Sequence, residues 1–514
     1  MTVVDGAAVD APKERTVTVT LANAALLLTL AFAAGIRLWD ITAVPPELHP
    51  DEYAGWIGIA DMLNGRNPPS VFLDYGVVYL PLYGIFETIS AWIFSPTIAA
   101  FRAPAALLGA VTALGTGLLA YQLCGRRALL LLGCAVMAVL PWDISASRIG
   151  WEPAAMLPFL LLGLYFVRRG LYSRSERDVT LGFVLLAIGA YSYRAESFYA
   201  ATLVTALLAI EYERTRVLAR GLWIALAAGV LVLFPLLYTV AADPRLLTSG
   251  PAQGTFNSGI NGWTLLEFRN LYFSHYSPAA LFLTGDGNLQ HGPPIGVLYP
   301  WMAPFILIGL IAPRRIFPLR ARLFALVWLA VYPLGGSLTD ENGGQHFIRT
   351  MVGAPLFCIL TSIGLLASWQ WLQGFRALRR WPAAFSSAVA TLFAAIVIFE
   401  FAQFCDAYFV RYPAQAAQIF HYGDRDLFAF VNANDEGYDR VCFTALDAWN
   451  YSAQIRFYMP GTHLALFGAM DLSCRTPRSL LALKSQSEAP VHAQFLGTVQ
   501  RRDGTIRAYF YSLR

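Results

Sequence analysis

The sequence predicts an all-α polytopic membrane protein of about eleven transmembrane helices, with thirteen as the alternative count, followed by a small C-terminal α/β soluble domain. Three observations predict it. Apolar residues make up 57% of the 514 and charged residues only 14%, with a mean hydropathy of +0.51; a soluble domain is nearer half apolar and a quarter charged. Runs such as "LANAALLLTLAFAAGI", "GLWIALAAGVLVLFPLLYTVAA" and "SSAVATLFAAIVIFEFAQF" are long enough as helices to cross about 30 Å of hydrocarbon. Near Phe404 the composition turns polar, which divides the chain into a membrane domain, 1–404, and a soluble domain, 405–514.

The first apolar run follows a polar tail without a small-residue cleavage site, so it reads as a retained span. Basic clusters then recur between apolar runs: Lys13/Arg15, Arg126/Arg127, "RRGLYSRSER" (168–177), "ERTRVLAR" (213–220), "RRIFPLRAR" (314–322) and "RALRR" (376–380). The positive-inside rule puts all six in the cytoplasm, which demands an even number of crossings between consecutive clusters. Residues 128–167, 179–210, 222–311 and 323–369 each hold two apolar runs. Only the first interval holds three, at 17–39, 77–94 and 103–123. Its middle run carries Pro81, Glu87 and several aromatic residues, and is expected to lie in the interface rather than cross. The N-terminus is then inside the inner (plasma) membrane, and the C-terminal domain faces the periplasm or exterior.

In that domain, 412–434 has the three- and four-residue apolar spacing of one amphipathic helix, while "YDRVCFTA", "SLLALK" and "AQFLGTVQRRDGTIRAYFYSL" read as strands. "RDGT" is a hairpin turn, because Gly tolerates the positive φ that a tight turn requires. On the outer side, Cys442 and Cys474 are free to form a disulfide.

Several function classes are excluded. The net charge of +4 is dispersed among the spans, so nucleic acid is not a partner. The six cysteines include no CxxC pair. P-loop, GxGxxG, HExxH and GxSxG patterns are all missing.

On the outer side, the short turns gather Asp51, Glu52, Arg148, Glu152, Arg194, Glu196, Asp340, Glu341, His346 and Arg349. Ionisable groups near membrane depth are paired, face a wet cavity, or work. Structural roles are available to each. Asp51 can cap the helix that follows it, Arg37 and Arg102 can anchor span ends by snorkelling, Arg148–Glu152 and Arg194–Glu196 can pair, and Asp340 and Glu341 can be solvated. The chemical role is acid–base catalysis at the bilayer edge. A carboxylate takes the proton of an acceptor hydroxyl, and guanidinium or imidazole groups neutralise a leaving phosphate. One base and one phosphate site suffice for an inverting displacement at a sugar carbon, whereas retention needs a second carboxylate as nucleophile. No cofactor is called for, and no compact cluster of hard ligands demands a metal.

The motif "HPDE" precedes the interfacial run and then "FRAPAALLGAVTAL"; "SRIGWEPA", "YSYRAESFY", "YFSHYSPAALFLTGDGNLQH" and "GGQHFIRTMVGAP" follow. In order and spacing over residues 20–405 this resembles the GT-C superfamily of polyprenyl-phosphate-sugar-dependent glycosyltransferases. Its nearest branches in that resemblance are the protein O-mannosyltransferases, the lipid A aminoarabinose transferases and bacterial family-39 types. The resemblance implies a polyprenyl-phosphate-linked sugar donor and a protein, lipid or glycan acceptor. It implies Asp51 as catalytic base, Glu52 as a holder of the acceptor or of the site's network, and Arg148, Arg194, His346 and Arg349 as donor-phosphate residues. Gln290 stands where a basic residue is expected, which leaves Asp286 and His291 to order that loop. A secondary transporter or lipid-linked-glycan flippase is the alternative, and a polymerase or ligase of the same architecture a third reading. Against the transporter, the charges gather at one surface and the two halves show no repeat.

Overall fold

The computed structural model describes residues 11–66, 73–74, 78–79, 81–243, 253–256, 259–340, 344–374, 382–446, 451–460, 462–468, 470, 472–501 and 503–513. Its first helices are α1 (Ala11–Leu38), α2 (Asp51–Leu63), α3 (Pro81–Phe94), α4 (Ile98–Cys124), α5 (Arg127–Ala138), the short α6 (Pro141–Ala146) and α7 (Met156–Ser173). Then come α8 (Glu176–Gly189), α9 (Arg194–Ile210), α10 (Tyr212–Val217), α11 (Ala219–Ala242), α12 (Gly262–Ser274), α13 (Met302–Ile311), α14 (Leu319–Val331) and α15 (Leu334–Ser337). The membrane domain closes with α16 (Gly353–Gly374) and α17 (Pro382–Cys405).

The expected apolar runs form helices, that of 77–94 from Pro81 onward. Among the described residues seven helical segments are long and apolar enough to cross a membrane: Leu21–Leu38, Ile98–Cys124, Glu152–Ser173, Ala219–Ala242, Leu319–Ser337, Gly353–Gly374 and Ser387–Gln415. The other four expected crossings, α5, α8, α9 and α13, hold 12, 14, 17 and 10 residues, or about 15–26 Å at the helical rise. Small residues let these helices approach closely. A Cβ on Gly182 of α8 would stand 2.8 Å from the Gly163 carbonyl oxygen of α7.

Four of the six basic clusters meet at one end of the molecule, while 376–380 lies outside the described residues. Arg126 donates to the Arg315 carbonyl, and Arg168, Arg214 and Arg320 converge on the buried carboxylate of Glu211. At that end α4 presents its Gln122 carbonyl to Arg168, while near its start Arg102 binds Glu52. The twenty residues between Arg102 and Gln122 span about 30 Å of helix, the thickness of the hydrocarbon layer. The "HPDE" turn and the basic loops therefore lie at opposite ends.

The expected interfacial segment is α3, a 14-residue helix joined to α2 across a two-residue ladder, β1 (Leu73–Asp74) on β2 (Val78–Tyr79). It packs on α2 so tightly that a Cβ on Gly84 would lie 2.7 Å from the Gly55 oxygen. Glu87 is buried against α2, where burial pushes its carboxyl well above the usual carboxylate range and Glu52 adds to the shift. A second ladder, β3 (Gln253–Gly254) on β4 (Thr339–Asp340), ties the loop after α11 to the loop before α16.

The last apolar segment ends in α18 (Tyr412–Gln415), and the C-terminal domain follows with α19 (Asp424–Ala433), β5 (Arg440–Phe443), α20 (Tyr451–Tyr458), β6 (Ala465–Phe467), β7 (Ser479–Leu483), β8 (Gln494–Gln500) and β9 (Ile506–Leu513). The sheet order is β6-β5-β7-β9-β8. β5 is parallel to β6 and β7, and β9 is antiparallel to β7 and β8. The β8–β9 hairpin turns at Gly504, with φ +84°. Cys442 and Cys474 form a disulfide. The single amphipathic helix expected over 412–434 is instead broken between α18 and α19, where His421 (φ +52°) and Gly423 (φ +97°) take left-handed backbone conformations that a helix cannot contain.

Candidate active site

Asp51 and Glu52 open α2, and their adjacent carboxylates have opposite fates. Glu52 is fully buried. Its Oε1 accepts from the His49 amide (2.8 Å) and Arg102 Nη2 (2.8 Å); its Oε2 accepts from Arg102 Nε (2.7 Å) and the Gly150 amide (2.8 Å). Arg102, also fully buried, spends its remaining donors on the carbonyls of Ile41, Pro45 and Glu47. Glu52 thus staples the "HPDE" turn to α4 and to the "SRIGWEP" loop. Arg102 does not snorkel: its charge is matched inside by Glu52, as that of Arg37 is by Asp143 at 2.5 Å.

Asp51 keeps a quarter of its side chain exposed. It does not cap α2, whose N-cap is Pro50 without a side-chain bond. Its Oδ2 accepts from Gln290 Nε2 at 2.9 Å and lies 3.2 Å from His49 Nδ1. Neither His49 nor Gln290 stands out as an Asp51 partner in the sequence. Gln290 is 239 residues away from it, and its amide suits the place because it can donate to a carboxylate without fixing its charge.

The loop carrying Gln290 is tightly held. Asp286 Oδ2 lies 2.6 Å from His291 Nδ1 and accepts the Phe347 amide at 2.9 Å, and its Oδ1 accepts the Asn288 amide at 3.1 Å. Burial would raise the Asp286 carboxyl; His291 and the two amides outweigh it and hold the group below its ordinary value. The His291 ring packs on His346 with centroids 4.5 Å apart and on Trp151 at 6.2 Å. His346 accepts the Arg349 amide on Nδ1 (3.2 Å) and donates its own amide to His275 Nε2 (3.3 Å). His275 Nδ1 faces the Leu271 carbonyl at 2.7 Å, so Nδ1 carries the proton and Nε2 is free to accept. Burial lowers the His275 pKa and keeps the ring neutral. His275 lies within a motif legible in the sequence, but only the fold puts it beneath His346.

Of the remaining expected residues, Arg349 is half-buried one turn from His346, and the Tyr199 hydroxyl reaches its carbonyl at 3.1 Å. Arg194 is half-buried at the start of α9, with Glu152 as its leading charged neighbour. Glu196 forms no pair with it: both Glu196 carboxylate oxygens are buried with no hydrogen-bond partner among the described residues. Arg148 is fully buried. Its two Nη groups donate to the carbonyls of Ile36, Arg37, Asp40 and Val44, and its guanidinium lies 4.8 Å from the Phe409 ring. It orders the chain ahead of "HPDE" rather than pairing with Glu152. Asp340 belongs to β4, and Glu341 lies outside the described residues.

Beside the Asp286–His291 loop lies a small pocket walled by Trp142, Ser145, Phe347 and Phe404. Sharing Pro141, Ile295, Gly296 and Phe404 with it is a groove of about 700 Å³, lined chiefly by apolar side chains that include Phe282, Leu283 and Phe399. Arg411 and Asp406, paired at 2.8 Å, also line this groove. Among the described residues no group of three or more His, Cys, Asp or Glu could hold a metal ion.

No protein-family model matches the chain, and no curated protein matches it in sequence. Solved structures do resemble it. ArnT, an aminoarabinose transferase from Cupriavidus metallidurans, superposes in its apo state with a TM-score of 0.56 at 12% identity, over 97% of this chain and 98% of that one. The same protein bound to undecaprenyl phosphate gives 0.54 at 13%, over 96% and 98%. The Archaeoglobus fulgidus oligosaccharyltransferase gives 0.51 at 14%, over 87% of this chain and 64% of that one. At these identities the shared property is the fold, and the chain has the GT-C fold of these membrane glycosyltransferases.

Proposed function

We propose that this chain is a glycosyltransferase that moves a sugar from a polyprenyl-phosphate donor to an acceptor hydroxyl on the outer face of the membrane, with inversion. One observation carries the reading. Asp51, the partly exposed member of the acidic pair, is hydrogen-bonded to Gln290, and the loop bearing Gln290 also holds His291 against His346. Segments from four distant parts of the chain, 49–52, 150–152, 286–291 and 346–349, thereby share one locale.

Asp51 takes the proton from the acceptor hydroxyl as its oxygen attacks the anomeric carbon from the face opposite the leaving group. Gln290 and His49 aim the carboxylate, and Glu52 with Arg102 holds the backbone that carries it. The bond from the sugar carbon to phosphate oxygen breaks, and the charge gathering on the phosphate is met by His346, Arg349 and Arg194. The apolar groove beside Phe404 accommodates the isoprenoid chain. The bound undecaprenyl phosphate of the structurally similar ArnT supports a donor of this class. An outward orientation is supported by the Cys442–Cys474 disulfide in the domain that touches α2, since such bonds persist in oxidising compartments, and by the arginine clusters at the opposite end.

The test is mass analysis of polyprenyl-linked sugars in cells lacking the chain. Wild-type protein is expected to clear the donor that accumulates. Asp51→Asn, inserted and folded at wild-type level, is expected to lose about 10²–10⁴ in rate and leave the donor in place. Clearance by Asp51→Asn at the wild-type rate would refute the assignment.

A further inference from the structure

The C-terminal domain holds the helix that bears Asp51 at three places. Ahead of α2, the buried Glu47 carboxylate accepts the amides of Gly423 (3.1 Å) and Arg425 (3.0 Å) at the start of α19. Along α2, Phe457 of α20 stacks on Tyr53, with centroids 6.0 Å apart and planes 8° from parallel. The same ring meets Trp56 at 6.3 Å and Phe101 of α4 at 5.3 Å. Near the end of α2, Arg456 forks onto the buried Asp61 carboxylate, with Nη1 2.6 Å from Oδ2 and Nη2 on Oδ1.

A domain that merely covered the spans would spread its contacts over whatever apolar surface it met. These contacts instead bracket Asp51 on both sides within 47–61, and two of them use buried carboxylates: Glu47 would give up the two amides of α19, and Asp61 its bidentate partner, keeping the longer 3.5 Å contact from Arg66. They are made by none of the groups assigned above to acceptor or phosphate. Resting on the proposed reaction, we propose that the C-terminal domain is a positioning clamp for the catalytic helix, with Arg456 and Phe457 setting where the Asp51 carboxylate stands. The bidentate fork fixes the helix along its length, because a planar guanidinium matches both carboxylate oxygens in only one orientation. The ring stack fixes its rotation.

The test uses the full-length protein in detergent or vesicles and compares Arg456→Ala, Arg456→Lys, Phe457→Leu and the charge swap Asp61→Arg/Arg456→Asp. A displacement of about 1 Å costs on the order of a hundredfold in rate. Arg456→Ala is therefore expected to lower kcat by roughly ten- to a hundredfold, while KM for the donor changes by less than about threefold. Arg456→Lys should recover part of the loss and the charge swap most of it. Hydrogen exchange over residues 51–63 should rise in Arg456→Ala and fall back in the swap. Wild-type kcat in a folded Arg456→Ala protein, or unchanged exchange over 51–63, overturns the clamp. If Arg456→Ala does not fold, Phe457→Leu gives the same two readouts while keeping apolar volume. The exchange measurement needs no substrate, so it decides the clamp even if the wild-type protein transfers no sugar, an outcome that removes the proposed reaction alone.

Discussion

Glu52→Gln separates the buried, structural carboxylate from Asp51, the proposed base. Glu52 receives four hydrogen bonds, two on each oxygen, three of them at 2.8 Å and one at 2.7 Å. A glutamine offers one oxygen and one NH₂, so in either orientation the NH₂ confronts two donors. With Oε1 replaced, these are the His49 amide and Arg102 Nη2; with Oε2 replaced, Arg102 Nε and the Gly150 amide. Two buried donors left unsatisfied cost roughly 1–3 kcal/mol each. Removing one partner of a buried ion pair independently gives about 3–5 kcal/mol, and the two routes agree. The assay is thermal unfolding of the detergent-solubilised protein, where a loss of this size lowers the midpoint by about 3–5 °C in a chain of this length. Asp51→Asn, changing a partly exposed group, should shift it by less than about 1 kcal/mol. A Glu52→Gln protein that melts with the wild type would refute the argument that this carboxylate ties the "HPDE" turn to α4.

Two further outcomes concern the C-terminal domain. Reducing the Cys442–Cys474 bond, which closes a sequence separation of 32 residues, should destabilise the domain by about 3–4 kcal/mol on the chain-entropy account; unchanged protease resistance of residues 405–514 after reduction would contradict it. The second outcome concerns Glu47. Burial raises its pKa from 4.5 to about 7, against the opposing Arg425 and Gly423 amides and with a further upward push from Asp424. A docked carboxyl with a raised pKa favours docking while protonated. Its contribution is complete below about pH 4.5 and is lost as pH rises through about 7. The difference of 2.5 units corresponds to about 3 kcal/mol. Domain stability should therefore fall across that window, and Glu47→Gln should flatten the fall; a wild-type profile flat between pH 5 and 8 would exclude it.

Much of this site was legible in the sequence, and specific residues show where legibility stopped. Asp51, Asp286, His291, His346 and Arg349 stand in short motifs whose charges sit at the edges of apolar runs, and they do gather in one place. Arg148 stands in an equally good motif, yet its two Nη groups are spent on four backbone carbonyls. The motif shows a charge and not what satisfies it. Arg37 and Arg102 lie near span ends, where hydropathy alone makes snorkelling the natural expectation; a buried carboxylate from elsewhere in the chain changes the answer for each. Gln290 departs from the basic pattern expected at its position, and it donates to Asp51 Oδ2 from 239 residues away.

The amino-acid order alone determined where apolar helices run, which loops carry the arginine clusters that meet at one end, and where the β8–β9 hairpin turns. These follow from hydropathy, charge and backbone freedom, which each residue carries by itself or with near neighbours. Only the tertiary structure decided that Glu52 is a buried staple and Asp51 a partly exposed carboxylate, that the Nη groups of Arg148 are committed to carbonyls, that the helix breaks before Gly423, and that Arg456 and Phe457 contact the α2 region. Each depends on a partner tens to hundreds of residues away. A buried charge or ring takes its role from the group that meets it, and that meeting exists only once the chain has folded.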